Sequence, residues 1–291
     1  MELEVGLRNA PTFLATHNAH ERDEHISFDA IPHTYEVRGD GGYTSVSTVV
    51  HEYFPVFDAR ATASGMVSHK DFPQASRYRQ YRALVASCAS SSDLIEEIVA
   101  KWAAYGNEQA ALGTAMHEYI ERFYNAEAEA AYKAQLVERY FTTPPVHLGR
   151  EYQYAHQYAK DKKAQGYAPY RTEWRLYDER ARVCGTIDMI FYKPRTGTYH
   201  MVDWKRCKKL SRYGFRQRGF GACAQMPHCN MSHYSLQLNL YTYLLEQHYG
   251  LTISTMHLAV FHPDNTSYLE VEVPRLDHIT RTIMCSRASP L

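Results

Sequence analysis

The second half of the chain alternates between apolar and polar residues in short runs, a pattern typical of β-strands. Turn-forming residues separate the runs. A longer stretch at about 232–248 has apolar residues at helical spacing and ends just before Gly250, which favours a buried helix. The strands are predicted at about 170–177, 183–192, 198–204, 254–262 and 267–273. The pattern therefore predicts an α/β fold with a short mixed β-sheet flanked by helices.

The first half of the chain is mainly helical by the same criteria. Residues 26–50 alternate around a Gly-Gly pair, which predicts a small hairpin before a helix. Gly106 interrupts the helical spacing, so separate helices are expected on either side of it. The helices are predicted at about 58–90 with breaks, 92–105, 107–124 and 146–165, and a short one ends the chain. The predicted divisions are a disordered tail at 1–25, an N-terminal hairpin and helical region at 26–106, and a core at 107–291.

The composition is that of an ordinary globular protein, since 45% of the 291 residues are apolar and 22% are charged. No run of 18 apolar residues occurs, so no membrane-spanning helix is expected. The N-terminus lacks the basic and apolar regions of a secretory signal, and the six cysteines have no framework spacing. These features predict an intracellular protein of the nucleus or cytoplasm, of cellular or viral origin, that is not secreted.

The positive charges are concentrated in one part of the chain, although the net charge is zero. No acidic residue occurs between Asp203 and Glu246, and seven lysine and arginine residues lie in that interval. We call residues 206–231 the basic segment, and its glycines predict a loop. Such a segment is either a solvated loop or a contact surface for a polyanion. Its candidate DNA-binding residues are Lys208, Lys209, Arg212, Arg216 and Arg218.

The second and third predicted strands each carry one aspartate among apolar neighbours. If residues 194–197 form the turn between these strands, Asp188 lies directly opposite Asp203. Lys205 is two residues beyond Asp203 and points to the same face. Directly opposed side chains have Cβ atoms roughly 4.5–5.5 Å apart, and like charges at that distance are destabilising. The predicted pairing therefore requires something that compensates the two carboxylates.

A third acid joins the two aspartates if Glu179 and Arg180 form the preceding turn. Glu173 then lies opposite Thr186 and diagonal to Asp188 on the same face. The other face is expected to pack on helices through Trp174, Leu176, Ile187, Met189, Phe191 and Val202. Three carboxylates and a lysine on one face are either a solvent-facing polar side or a site for a hard divalent cation such as Mg²⁺, which takes carboxylate ligands.

Two pairs of helical residues are placed to support such a site. His117 and Glu121 are four residues apart and share a helix face, as do Gln237 and Tyr241. His117 is either a surface or core residue or a metal ligand through a neutral imidazole nitrogen. Gln237 and Tyr241 lie beside a buried leucine stripe, where they either fill the boundary or contact a phosphate or a base.

Four spaced sequence elements resemble a known family. They are Gly113-Thr114-x-x-His117, Gly185-Thr186-Ile187-Asp188, Asp203-Trp204-Lys205 and Gln237-x-x-x-Tyr241. Together they resemble the RecB-like branch of the PD-(D/E)XK nuclease superfamily, which includes mitochondrial genome maintenance exonucleases, phage-type exonucleases and uncharacterised members from large DNA viruses. Ile187 stands where the superfamily's name has proline, a difference that is frequent in this branch. The resemblance implies a restriction-endonuclease-like core with a helical N-terminal region.

The resemblance also implies a role for each matching residue. Lys205 would orient or activate the attacking water and stabilise charge in the transition state. Gln237 and Tyr241 would support the site and contact substrate, and Glu173 is a further catalytic candidate. The implied cofactor is Mg²⁺ or Mn²⁺, and its implied ligands are His117, Asp188, Asp203 and the backbone carbonyl of Trp204.

The implied function is hydrolysis of phosphodiester bonds in DNA by an exonuclease of replication, repair or recombination, acting on single strands or duplex ends. The alternatives are a structure-specific endonuclease and a catalytically inactive DNA-binding or assembly protein that keeps the fold. Replication or repair proteins are the expected partners, and a membrane is not. The cysteines do not match the ligands of iron–sulfur relatives, so no such cluster is expected. A zinc site of irregular spacing stays open for Cys223, His228, Cys229 and His233.

Overall fold

The computed structural model describes residues 11–30, 32–134, 149–214 and 216–288. Its helices are α1 (Phe13–His17), α2 (Val46–Glu52), α3 (Ala59–Val67), α4 (Arg82–Ser87), α5 (Ser91–Ala134), α6 (Arg150–Ala164), α7 (Asn230–His248) and α8 (Asp277–Ala288). Its strands are β1 (Ile26–Asp29), β2 (Thr34–Val37), β3 (Thr44–Ser45), β4 (Ala168–Asp178), β5 (Val183–Lys193), β6 (Thr198–Lys205), β7 (Ile253–Val260) and β8 (Leu269–Val273). Within these ranges, no helix is long and apolar enough to cross a membrane.

The main sheet is mixed and contains six strands from the described part of the chain. Strand β5 pairs antiparallel with β4 along one edge. On its other edge, β5 pairs parallel with β3 at its start and antiparallel with β6 at its end. The sheet continues through a parallel β6–β7 pair and an antiparallel β7–β8 pair. The predicted α/β fold with a short mixed sheet and flanking helices is confirmed.

The edge of β5 that faces β6 has a gap in its pairing. Strand β3 pairs with Val183 and Cys184, and β6 pairs only from Met189 onward. Residues 185–188 therefore have no strand partner on that edge among the described residues. The Gly-Thr-Ile-Asp element lies in this gap, at the position where β5 and β6 separate.

Helices cover both faces of the sheet, and each face has its own apolar core. On one face, α2, α7 and α8 pack through residues that include Leu240 and Ile283. On the other face, α1, α6 and the C-terminal part of α5 pack through residues that include Ile120 and Tyr158. Each fully buried side chain of this kind contributes roughly 1.5–3 kcal/mol relative to an exposed one. The sheet is therefore the middle of three layers.

The apolar residues that were predicted to share one face are divided between the two cores. The first core contains Trp174, Leu176 and Ile187, and the second contains Met189, Phe191 and Val202. Along β4 and β5 the alternation changes phase at Glu173 and Asp188, and Glu173 has a left-handed φ of 43°. The prediction was wrong because a local irregularity of this kind moves the following residues to the opposite face.

The turn between β4 and β5 also differs from its prediction. It contains residues 179–182 rather than Glu179-Arg180 alone. The register is therefore shifted by two residues, which keeps each side chain on its face. Glu173 consequently lies level with Asp188 instead of diagonal to it. The predicted turn at 194–197 is confirmed by the pairing of the residues that flank it.

Helix α5 is continuous where two helices were predicted. It runs through Gly106 and is 44 residues long. A glycine costs a helix roughly 1 kcal/mol, which burial of flanking side chains such as Ile98 and Met116 outweighs. The boundary predicted at 106/107 therefore falls inside a helix. The chain divides into two compact units, which are Met1–Pro55 with Met116–Leu291, and Val56–Ala115.

Residues 11–25 are ordered, although the sequence predicted a disordered tail there. Leu14 of α1 is buried. Asp23 accepts a hydrogen bond from Arg171 at 2.7 Å and another from the indole of Trp174 at 2.8 Å. The prediction was wrong here because partners on β4 hold a segment whose own composition is polar. The first ten residues lie outside the described part of the chain.

Candidate active site

Strands β5 and β6 separate at the two aspartates. Met189 pairs with Val202, and Asp188 and Asp203 occupy the next positions, where the pairing has ended. The Asp188 carboxylate reaches across the gap, and its Oδ2 accepts the backbone N–H of Trp204 at 2.7 Å. Asp188 is therefore held against the β6 backbone rather than against the Asp203 carboxylate.

One helical side chain and two carboxylates converge beside this gap. The Nδ1 atom of His117 on α5 lies 3.6 Å from Oδ1 of Asp188 and 3.7 Å from Oε1 of Glu173. Its Nε2–H donates to the Trp204 carbonyl at 3.1 Å. One ligand atom from each of His117, Glu173 and Asp188 lies within 4.8 Å of the other two. We call these three residues the His-Glu-Asp cluster.

The His-Glu-Asp cluster favours a positive charge at its centre. Burial lowers the pKa of His117, but Asp188 and Glu173 outweigh that effect and raise it to about 9. Burial raises the pKa of Asp188, and His117 opposes that rise. The Oε1 atom of Glu173 is buried and has no hydrogen-bond partner among the described residues, which is uncommon in native proteins. A cation at this position would compensate both carboxylates.

A second cluster lies around Lys205 at the end of β6. Its Nζ atom lies 2.6 Å from Oδ2 of Asp203 and donates to Oε1 of Gln237 at 3.4 Å. The same atom lies 4.5 Å from the centre of the Tyr234 ring.

Burial raises the pKa of Asp203 to about 6 against the opposing effect of Lys205. Burial lowers the pKa of Lys205, but Asp203 and Asp188 outweigh it and raise that pKa above its usual range. The ion pair is therefore charged at neutral pH. We call Asp203, Lys205, Tyr234 and Gln237 the lysine cluster.

Buried Tyr241 explains the glycine of the Gly-Thr-Ile-Asp element. A Cβ atom added to Gly185 would lie 2.8 Å from Cε1 of Tyr241, which is closer than real Cβ contacts. Burial raises the pKa of Tyr241 well above its usual range, and Gln237, one helical turn earlier on α7, opposes that rise. The next residue of the element, Thr186, shares a hydrogen bond of 3.0 Å with the Tyr35 hydroxyl on β2. Strand β5 is therefore fitted against both α7 and β2 beside the gap.

A family comparison agrees with this geometry. A model described as the PD-(D/E)XK nuclease superfamily matches residues 93–281, more than half of the chain. The chain belongs to this superfamily. Its members are nucleases that act on nucleic acids and generally use divalent metal ions. The predicted superfamily is thus confirmed, and the RecB-like branch stays a prediction.

The solved structures that match this nuclease include one titled "Crystal structure of SSO0001". It shares 13% sequence identity, and the match covers 99% of this chain and 85% of the other with a TM-score of 0.29. A TM-score at that level supports no argument about fold or function. The comparison with curated proteins found no match.

The predicted DNA-binding residues of this nuclease lie at the surface or in exposed ion pairs. Lys208 pairs with Asp264 at 2.8 Å. Arg218 donates to both the backbone carbonyl and the side-chain oxygen of Gln225. The basic segment is a loop up to the start of α7, apart from one short 3₁₀ turn. In the described part of the chain, the exposed cations of this segment without an acidic partner are Lys209, Arg212, Arg216 and Arg218, and Arg218 is held by the neutral Gln225.

The residues considered for zinc do not converge. Across the described ranges, the His-Glu-Asp cluster is the only place where three His, Cys, Asp or Glu side chains bring ligand atoms together. His228 and His233 instead stack on each other, with ring centroids 5.1 Å apart. Cys223 and Cys229 are buried in the core that contains α7.

The sequence analysis missed two tyrosines at the site. Tyr234 precedes Gln237 by three residues and Tyr241 by seven, so helical spacing could have placed all three on one face. Tyr35 lies on β2, far from Thr186 in the chain, and no local signal predicts that contact.

Glu121 adds a further carboxyl group near the His-Glu-Asp cluster. It lies one helical turn beyond His117 on α5. Burial, and then the charge of Glu173, raise its pKa to about 7. Glu121 is therefore only partly ionised at neutral pH.

Proposed function

We propose that this chain is a metal-dependent deoxyribonuclease that hydrolyses phosphodiester bonds and, as a member of the RecB-like branch, acts as an exonuclease. The observation that carries the proposal is the pair of clusters at the β5–β6 gap. The His-Glu-Asp cluster offers carboxylate oxygens and an imidazole nitrogen, and the lysine cluster offers a fixed ammonium group. Phosphodiester hydrolysis needs an activated water and stabilisation of charge on the phosphoryl oxygens.

The His-Glu-Asp cluster fits a divalent cation by its chemistry. Mg²⁺ and Mn²⁺ prefer oxygen ligands, and imidazole is a common ligand of divalent transition metals. The Oε1 atom of Glu173 has no hydrogen-bond partner among the described residues, and it could serve as a ligand to such an ion. His117, Glu173 and Asp188 would hold the ion, with Asp203 and the Trp204 carbonyl as further ligands. When bound, Mg²⁺ or Mn²⁺ would polarise a phosphoryl oxygen and lower the pKa of a water.

Lys205 would stabilise the negative charge that develops during hydrolysis. An ammonium group has three donors. Lys205 forms an ion pair with Asp203 and donates one hydrogen bond to Gln237, which leaves donor capacity for a phosphoryl oxygen or the attacking water. Because its pKa is raised, Lys205 acts as a fixed charge and donor rather than as a base. Gln237 and Tyr241 act as positioning residues, since Gln237 accepts from Lys205 and Tyr241, one helical turn further along α7, packs against Gly185 beside the gap.

The proposed substrate is DNA with free ends, and the proposed process is replication, repair or recombination, with the proteins of those processes as partners. The resemblance of the four sequence elements to exonucleases supports this part of the proposal. An endonuclease and an inactive DNA-binding protein are the competing functions, and each predicts a different result in a cleavage assay.

The assay would use end-labelled single-stranded and duplex DNA, circular single-stranded DNA and a matched RNA, each with Mg²⁺, Mn²⁺ or EDTA. We expect linear DNA to be shortened from its ends, circles to stay intact and EDTA to stop the reaction. Cleaved circles would identify an endonuclease. Absence of cleavage in all conditions would identify a binding protein that keeps the fold.

Three substitutions test the assigned residues. Asp188→Ala, Asp203→Ala and Lys205→Ala should each lower the cleavage rate by about 100-fold or more, because each removes a preorganised charge. Glu179→Gln is the control, since it removes an acid from the exposed β4–β5 turn and should leave the rate unchanged. Thermal unfolding would show that each variant is folded. A folded Asp188→Ala variant with the wild-type rate would contradict the assignment.

A further inference from the structure

The basic segment exposes two large aromatic side chains. Tyr213 is 82% exposed, and Phe220 is 54% exposed. Burying a phenylalanine fully is worth roughly 1.5–3 kcal/mol, so an exposed ring gives up much of that stabilisation. Single exposed rings are ordinary on protein surfaces. Whether these two rings form a binding surface depends on the order of the backbone that carries them and on the charge around them.

Phe220 is held on a closely packed backbone. Its N–H donates to the Tyr53 carbonyl at 2.8 Å, and its own carbonyl accepts the N–H of Cys223 at 2.8 Å. A Cβ atom at Gly219 would lie 2.6 Å from the Cys223 carbonyl oxygen. Gly221, on the other side, has a left-handed φ of 51° that favours glycine. The ring is therefore exposed from an ordered backbone and not from a solvated loop.

Tyr213 follows a stretch that is anchored to the first turn of α7. The Ser211 N–H donates to the Asn230 side chain at 2.7 Å, and the Ser211 hydroxyl donates to the Tyr213 carbonyl at 3.1 Å. Asn230 lies one helical turn before Tyr234, whose ring contacts the Lys205 ammonium. The backbone that carries Tyr213 is thus connected to the lysine cluster through one turn of α7.

Part of the positive charge in the segment that carries these rings is not neutralised by the protein. Exposed arginines elsewhere, such as Arg38 and Arg182, pair with carboxylates. The basic segment contains no acidic residue. Lys209, Arg212 and Arg216 are exposed without an acidic partner in the ranges that the structure describes. This part of the surface therefore complements a polyanion.

We propose that Tyr213 and Phe220 are stacking platforms for the bases of a single-stranded nucleic acid, while Lys209, Arg212 and Arg216 contact its phosphates. A single strand can offer the faces of its bases to protein rings, whereas a duplex covers them with neighbouring bases. Exposed rings among free cations are the combination that binds single strands without sequence preference. The inference rests on the proposed function, and it names a single strand as the substrate.

Binding in EDTA, which stops the proposed reaction, tests this surface apart from cleavage. Fluorescence anisotropy would compare a labelled thymidine strand, an abasic strand of equal length and charge, and a duplex of equal length. Wild type should bind the thymidine strand most tightly. Tyr213→Ala and Phe220→Ala should each weaken that binding about 5-fold or more, because stacking is worth roughly 1–3 kcal/mol per base. The double variant should bind the thymidine and abasic strands equally, and Tyr213→Trp or Phe220→Trp should preserve the preference.

Tyr132→Ala is the matched control, because Tyr132 is 59% exposed but lies on α5, outside the basic segment. Equal binding of wild type to the thymidine and abasic strands would overturn the proposal, as would unchanged binding by a folded double variant. A uridine strand run in parallel shows whether the platform accepts RNA, and loss of its binding in the double variant would also support stacking. Cleavage without base-dependent binding would overturn the platform and leave the proposed reaction standing. Base-dependent binding without cleavage would support the stacking platform and overturn the proposed reaction.

Discussion

At the scale of single residues, Asp203 and Lys205 form a close and largely buried ion pair. Their charged atoms are 2.6 Å apart, and Asp203 is only 3% exposed. Such a pair gains little over apolar residues of similar size, but removal of one partner leaves the other charge uncompensated. The opposed register predicts repulsion between Asp203 and Asp188, whereas the structure neutralises each aspartate separately. Asp203 should therefore contribute to stability even without a metal ion.

We predict that Asp203→Asn lowers the free energy of unfolding in EDTA by about 1–3 kcal/mol, because the Lys205 ammonium loses its charged partner. Asp264→Asn is the matched control, since it makes the same change in the exposed ion pair with Lys208, and exposed ion pairs contribute little to stability. It should leave the free energy of unfolding nearly unchanged. Urea denaturation of both variants measures the difference.

Combining Asp203→Asn with Lys205→Met should recover part of the lost stability, because the uncompensated ammonium is then removed as well. Equal or greater stability of Asp203→Asn alone would contradict the ion-pair account. It would instead indicate that repulsion between the two aspartates dominates the metal-free site.

At the scale of elements, β5 and α7 approach each other closely at Gly185, a residue without a Cβ atom. The Tyr241 ring fills the space beside Gly185, and Gln237 of the same helix reaches Lys205 on β6. The distance between strand and helix therefore controls how the lysine is held. A larger residue at 185 would act on the site without touching a charged group.

We predict that Gly185→Ala lowers stability by about 1–3 kcal/mol, as overpacking does, and slows cleavage because Tyr241 and Gln237 must shift. Tyr241→Leu introduced into the Gly185→Ala protein should restore part of the stability, since the smaller side chain makes room for the methyl group. A double-mutant cycle from urea denaturation measures the coupling. Additive losses would mean that the two residues do not compete for the same space.

At the scale of the whole molecule, the net charge of zero gives no general attraction to nucleic acid. Attraction must come from the local excess of positive charge in the basic segment. Lys208 and Arg218 are engaged by Asp264 and Gln225. The free cations should therefore determine how binding responds to salt.

We predict that Arg212→Ala with Arg216→Ala lowers the slope of log affinity against log salt by about 1.4 on single strands, at about 0.7 per lost phosphate contact. Arg195→Ala with Arg281→Ala makes the same change in net charge at exposed positions outside the basic segment, and should leave the slope unchanged. Titrations of affinity over a range of salt concentrations give both slopes. Equal slopes in the two double variants would show that Arg212 and Arg216 are only solvated.

The sequence by itself determined the local geometry around the two aspartates. The alternation of β5 and β6 and the turn at 194–197 place Asp188 and Asp203 level with each other. Both signals are local, because a strand repeats every two residues and a short turn permits few registers. The four spaced elements likewise identified the superfamily, since they depend on residue identity and order alone.

Only the tertiary structure decided which charge meets which partner. His117 joins Glu173 and Asp188, while Asp203 joins Lys205. The reason is that these contacts depend on where β5 and β6 stop pairing, on the left-handed backbone of Glu173, and on helices that arrive from distant parts of the chain. An alternating pattern specifies the face of a side chain, but it contains no information about the point at which two strands separate. In the folded chain the pairing ends at Met189 and Val202, and the division of the site into two clusters follows from that point.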